Sequence, residues 1–223
     1  MPDRTLFRMG SASAVIGALL ALVTNLLHPR ISEFEDYVGA ELRAVRDSDG
    51  WLAIHLGLLL GSLLIILGLF ALARSLKGGP AEGWARLALG GLLISAPVAV
   101  LTLMVDGYAT KQVADAAAQG SSAAGAAVVH LGWALFMGLI IMFLGITPFL
   151  FGVAVAVDGR YPASLGWGAA LLGAASVVIG VVGTISGPSG GFFIVFTVTS
   201  GLLTLWVLIL GVLLGRRAAV VAA

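Results

Sequence analysis

Six apolar runs divide the chain, at roughly 6–27, 51–73, 84–105, 126–156, 165–185 and 192–214. A helix needs about 20 such residues to cross the hydrocarbon core, and each run is long enough. Lipid offers backbone groups no partners, so runs of this length predict helices and not barrel strands. The fourth run is longer than a bilayer requires, so it starts or ends outside the core or lies tilted. The pattern predicts an all-α integral membrane protein in which residues 1–223 form a single six-helix transmembrane domain.

Two of the connections are long. The first, 29–50, starts at Pro29 and carries Ser32 with Glu35 three residues later, the spacing of a capping box. Phe34, Val38, Leu42 and Val45 then recur at helical spacing, with Glu33, Asp36, Arg43 and Asp47 on the other side. This predicts an outer-surface amphipathic helix over 31–47. It reads either as a helix lying on lipid or as a lid over a site below. In the second connection, 106–125, helix formers from Thr110 to Ala118 extend the third helix out of the membrane. Gly120-Ser121-Ser122 then breaks it.

Composition agrees with the pattern. The chain is 60% hydrophobic and 10% charged, with a mean hydropathy of +1.09. Soluble domains are about 25% charged, and a soluble chain this apolar would expose large sticky patches. The formal net charge is +1 and no basic run occurs, which argues against nucleic acid as a partner. There is no cysteine, which excludes disulfides, thiolate-bound zinc and iron–sulfur clusters. The first run has a basic flank but no small-x-small cleavage site, so it reads as a retained helix.

Lys and Arg set the expected orientation. With the N-terminus inside, Arg4, Arg8, Arg74, Lys77, Arg86, Arg160, Arg216 and Arg217 are inner, and Arg30, Arg43, Arg46 and Lys111 are outer. Eight against four predicts a multi-pass protein of the cell membrane with both termini cytoplasmic. The lipid bilayer is then the first partner, and a homo-oligomer or larger membrane complex is a further expectation. The pairs Gly57/Gly61 and Gly211/Gly215 let helices approach closely, within the chain or between copies. Pro97 and Pro148 are expected to kink the third and fourth helices.

A parallel repeat of two hairpins, spans 2–3 and 4–5, is suggested by matched residues. His55-Leu56-Gly57 and His130-Leu131-Gly132 share a 75-residue offset with Leu64-Ile65-Ile66 and Leu139-Ile140-Ile141. Gly83-Trp84 and Gly166-Trp167 open the third and fifth spans. About an axis along the membrane normal, His55 and His130 become symmetry mates.

The candidate chemistry lies at one end of the spans. His28, His55, His130 and Asp106 all fall there, and ionisable groups near hydrocarbon are costly enough to mark sites. His55 and His130 are the expected cofactor ligands, converging between helices as imidazoles do on a haem iron. His55, His130 and Asp106 form the alternative metal set, which with an open position would permit hydrolysis. His28 reads as a solvated helix end, and Asp106 as the partner of Lys111 or a loop arginine. A third reading gives these groups no cofactor at all.

On His55, His130 and the helix count, the chain resembles the cytochrome b561 type of membrane haem protein. That resemblance implies a six-helix electron carrier holding a b-type haem between histidines of the second and fourth spans. The family's second haem, held by the third and fifth spans, has no counterpart, since those spans carry no histidine. A secondary transporter is the rival class, but it calls for broken helices and polar midplane groups. Here Ser62, Ser95, Ser176 and Thr199 are the only mild exceptions. A structural or accessory membrane subunit needs no special residues and stays open.

Overall fold

The computed structural model describes residues 4–31, 33–119 and 122–220. Among these, every regular element is helical: α1 (Arg4–Leu27), α2 (Tyr37–Asp47), α3 (Trp51–Ser75), α4 (Glu82–Met104), α5 (Thr110–Ala117), α6 (Ser122–Ile141), α7 (Thr147–Asp158), α8 (Ala163–Ser186) and α9 (Gly190–Val220). Two π-helical turns, Val105–Ala109 and Met142–Ile146, join α4 to α5 and α6 to α7 without a break. The result is six stretches long and apolar enough to cross a membrane. Their outward faces carry large apolar side chains such as Leu26, 78% exposed, and Ile185, 81% exposed. Water would penalise that surface and hydrocarbon does not. The protein is a six-helix integral membrane protein.

Helices in lipid gain nothing from hiding apolar surface from one another, so close packing must hold them. Two glycine seams do this. Along the first, α1 runs against α3, with Gly10, Ala14, Gly17 and Thr24 facing Ala71, Gly68, Gly61 and Gly57. A Cβ on Gly17 would stand 2.7 Å from the Gly61 carbonyl oxygen, so only hydrogen fits. Along the second, Gly145 of the second π-turn and Gly152 of α7 meet Gly173 and Gly166 of α8. Gly211 and Gly215 pack on α1, where the Ser11 hydroxyl donates to the Gly211 carbonyl at 2.7 Å. Both sequence-marked glycine pairs therefore serve packing within the chain.

The hairpin repeat is not confirmed. α3 turns its glycine face to α1, whereas α7 turns its glycine face to the following helix, α8. Of the four midplane hydroxyl residues, Ser95 bonds Thr147 at 3.1 Å and Ser176 donates to its own helix. Pro97 lies within a continuous α4. Pro148 opens α7 directly after a π-turn, where a missing N–H costs little.

The helix expected over 31–47 begins later, at Tyr37. Ser32 of the expected capping box lies outside the described residues, as do Gly120 and Ser121 of the expected break. Asp36 caps the helix instead, accepting from the Gly39 amide at 3.1 Å. Phe34 precedes the helix and stacks on Phe193 of α9. Ala40, Glu41 and Val45 are the residues α2 buries, against α5 and α6. So α2 roofs one end of the bundle.

Candidate functional site

Under that roof lies a cavity of about 250 Å³. α1, α3, α4, α6 and α9 wall it, and α7 and α8 supply none of its described lining residues. Its wall facing α2 is polar, with Asn25, His28, Arg30, Tyr37, Glu41, Asp106 and Thr110. Farther along the same helices come Leu58, Ile65, Phe136, Leu139, Phe143 and Phe196. From Val129 to Phe143 the helical rise alone carries the lining roughly 20 Å into the bundle. Ser62, Thr102, Thr197, Ser200 and Thr204 add hydroxyls to that stretch, so the cavity is deep, with its ionisable groups at the head and a mainly apolar shaft.

His55 anchors the polar head. It stands one turn into α3, above Trp51, and is 3% exposed. Its Nδ1 lies 2.9 Å from the Trp51 carbonyl oxygen. A carbonyl can only accept, so Nδ1 carries a hydrogen and the lone pair of the neutral ring sits on Nε2. Nε2 faces the Asp106 carboxylate at 3.1 Å. Asp106 reaches this place because it sits in the π-turn, whose wider register loosens the backbone ladder. The Asp106 carbonyl is taken by the Trp51 indole N–H at 3.1 Å. Gly107 lets the turn touch the histidine ring.

His28 joins this pair from the end of α1. Its Nδ1 donates to the Pro29 carbonyl at 2.9 Å. Its ring centroid is 5.1 Å from that of His55 and 5.1 Å from that of Trp51. The Trp51 and His55 rings lie 4.3 Å apart. Trp51 is 1% exposed and walls both imidazoles. Burial lowers the His28 pKa, and the Asp106 charge opposes that shift. Arg30, two residues on, donates to Thr197 of α9 and to the Asn25 carbonyl, each at 3.3 Å.

Two groups on α2 complete the head. Burial pushes the Glu41 carboxyl up to about 8, the Asp106 charge adds to this, and a hydrogen bond with Tyr37 opposes it. Burial also raises the Tyr37 phenol, with the charges of Glu41 and Asp106 adding. Neither residue stood out in the sequence. The signal was there in their i, i+4 spacing, but the expected apolar stripe ran through Val38 and Leu42.

Of the expected site residues, the structure brings His55 and Asp106 together, and His130 does not join them. His130 is exposed on α6 and is not among the described lining residues, although its neighbours Val129, Gly132 and Trp133 are. His28, expected to be solvated, takes the third place: one ligand atom each from His28, His55 and Asp106 lie within 4.8 Å of one another. Lys111 does not pair with Asp106. Its ammonium reaches Asp115 at 3.3 Å and the Arg46 carbonyl at 3.1 Å, at the C-terminal end of α2. Gly57 faces Thr24 of α1, whereas Gly132 lines the cavity. His55 is thus buried at the cavity head and His130 is exposed.

No known protein family, curated protein or solved structure matches the chain.

Proposed function

We propose that this protein binds an amphiphilic, single-chain molecule in the cavity beneath α2. The head group contacts His28, Arg30, Tyr37 and Asp106, and the chain lies along Leu58, Phe136, Leu139 and Phe143. One observation carries this reading: the ionisable lining groups gather at the α2 end of a single deep cavity, and farther in only the hydroxyls of Ser62, Thr102, Thr197, Ser200 and Thr204 interrupt an apolar lining. Ligand pockets in general are mostly apolar with a few convergent polar groups that fix orientation. Burying an apolar chain contributes about 0.8 kcal/mol per methylene, so specificity falls to the head. The eight-to-four Lys/Arg asymmetry supports a cell-membrane protein with cytoplasmic termini and the head at the outer leaflet. α2 then acts as the lid of the sequence reading. An accessory subunit without a ligand is the competing account.

Trp133 lines the cavity and reports its occupancy. The protein in lipid nanodiscs is titrated with a brominated fatty acid, which quenches indole fluorescence on contact. A saturable component is expected above the non-saturating quenching of the lipid-exposed Trp84 and Trp167, and Trp133→Phe should remove that component. Gly132→Phe should weaken it about tenfold by filling the space, because a Cβ there meets nothing nearer than Val105 at 3.9 Å. Quenching with no saturable component, or one that Gly132→Phe leaves unchanged, would leave the accessory-subunit account standing.

A further inference from the structure

We infer that His28, His55 and Asp106 form a binding site for one divalent transition-metal ion, of the Zn2+ type, with an open coordination position facing the cavity. The three come from three separate places in the fold: the end of α1, the first turns of α3 and the π-turn after α4. Their ligand atoms nonetheless gather within 4.8 Å. The set of two imidazoles and one carboxylate is a familiar one for catalytic metals, which keep a further position open.

The hydrogen bonds around the rings favour a metal. His28 and His55 each donate Nδ1–H to a backbone carbonyl, of Pro29 and of Trp51, both at 2.9 Å. Metal-binding histidines are generally held this way, with the second nitrogen tied to a carbonyl or carboxylate. With Nδ1 committed to a carbonyl, Nε2 is the atom each ring has left for a ligand. In His55 that nitrogen faces the Asp106 carboxylate at 3.1 Å. A ring nitrogen and a carboxylate oxygen at that distance share a proton or a cation. A proton joins only this pair, while a metal ion also engages the nearby His28 ring. The His55–Asp106 spacing of 3.1 Å also suits a shared ion, onto which His28 has only to close from within 4.8 Å. Two ligands each about 2.0–2.1 Å from zinc, at bond angles between square and tetrahedral, stand about 2.9–3.4 Å apart.

The surroundings fix the geometry in advance. Trp51 packs on both imidazoles and bonds the Asp106 carbonyl, so one buried side chain positions all three ligands. The absence of cysteine leaves a nitrogen and oxygen donor set, which Zn2+ accepts. His28 and Asp106 line the cavity and His55 lies behind them, so the free side of the ion opens into the polar head. A water or a head-group oxygen can occupy it. The metal site stands independently of the proposed amphiphile, and it is measured with the cavity ligand-free.

The test uses the full chain in detergent, stripped by a chelator, desalted, and titrated with Zn2+ by calorimetry. Co2+ substitution supplies a spectroscopic signature. One Zn2+ per chain is expected, with the visible d–d bands of low-coordinate Co2+. His28→Ala, His55→Ala and Asp106→Asn should each weaken Zn2+ by about 100-fold or more, a larger loss than outer-shell changes cause. His130→Ala should bind as the native chain does. Circular dichroism and thermal unfolding check each variant. If His55→Ala does not fold, His28→Ala carries the test, since His28 lies outside the helices. A native chain with no stoichiometric Zn2+, folded variants that bind unchanged, or loss of binding in His130→Ala would each overturn the assignment.

Discussion

Gly107 stands so close to His55 that a Cβ on the glycine would lie 2.5 Å from the histidine Cβ and 2.9 Å from its Cγ. Both histidine atoms are held near the backbone, so neither can swing aside. Gly107→Ala must therefore push the π-turn away from α3. Alanine is the better helix former by about 1 kcal/mol, and overpacking costs about 1–3 kcal/mol, so the clash wins. A lower melting temperature in detergent is expected, with Zn2+ affinity lost alongside. Gly201→Ala is the contrast, because a Cβ there meets nothing within 4 Å. It should be neutral or stabilising by up to about 1 kcal/mol. Equal effects from the two changes would contradict the packing account.

How far this site was legible in the sequence depends on what lipid does to patterns. In water a helix announces its inner face by being apolar there. In a bilayer both faces are apolar, so the runs reveal six spans but not which side of each faces the bundle. His130 shows the consequence. It sits next to Val129 and two residues from Gly132, both at the cavity, yet one position of helical rotation leaves it exposed. His55 and Asp106 were legible because an ionisable group in such a span stands out. The π-turn that brings Asp106 to His55 has no sequence signature. Glu41 was hidden because it lies beside the expected stripe, which does reach the core at Val45, and a carboxylate gives no apolar signal that its side of α2 is buried as well.

Trp51 fixes the two elements that carry His55 and Asp106. Trp51→Phe keeps a ring against both imidazoles but leaves the Asp106 carbonyl without its indole donor, now 3.1 Å away. An unpaired buried carbonyl costs about 1–3 kcal/mol. Thermal unfolding should show a loss of that order. Stability equal to that of the native chain would mean that water replaces the indole N–H.

Glu41 makes stability depend on pH. Its carboxyl titrates at about 8 in the folded protein, well above an ordinary glutamate, because burial disfavours the charged form. Between the ordinary glutamate range and about 8 the folded state holds a proton that the unfolded state has released. Stability from this group is therefore full at low pH, falls as pH rises through that window, and levels off above it. Glu41→Gln cannot charge. The native chain and Glu41→Gln should have similar melting temperatures at about pH 5, and the native chain should fall behind by about pH 9. A gap that widens toward acid would reverse the sign and refute the burial account.

The α2 roof is tethered by Arg43, which pairs with Glu33 at 2.7 Å and Asp36 at 3.2 Å. All three side chains are about half exposed or more, so the pairs are worth little, at most about 1 kcal/mol. The buried Val45, packed with Trp51 and Ala114, holds the roof more firmly. Arg43→Ala should leave the melting temperature within error. Val45→Ala should lower it by about 1–2 kcal/mol of stability and loosen the Trp133 quenching response. A larger loss from Arg43→Ala than from Val45→Ala would show that charge and not packing seats the roof.

Tyr161 plays the corresponding part at the opposite end of the bundle. Its hydroxyl bonds the Ser75 hydroxyl at 2.8 Å, and the Arg217 guanidinium lies over its ring, 4.8 Å from the centroid. Tyr161→Phe removes only the first contact. Ser75 still donates to the Leu72 carbonyl at 2.7 Å, so no polar group is stranded, and the cost should be about 0.5–1.5 kcal/mol. Tyr161→Leu removes the aromatic face as well. Arg217 has a buried nitrogen with no other partner, so the ring is its principal support among the described residues. A further loss of about 0.5–2 kcal/mol is expected. Ser75 is twenty residues from His55 along α3, roughly 30 Å of helix. Both variants should therefore bind Zn2+ and quench at Trp133 as the native chain does, while unfolding at lower temperature. If Tyr161→Phe cost as much as Tyr161→Leu, the hydroxyl and not the ring would be what holds Arg217 and α9 against α3.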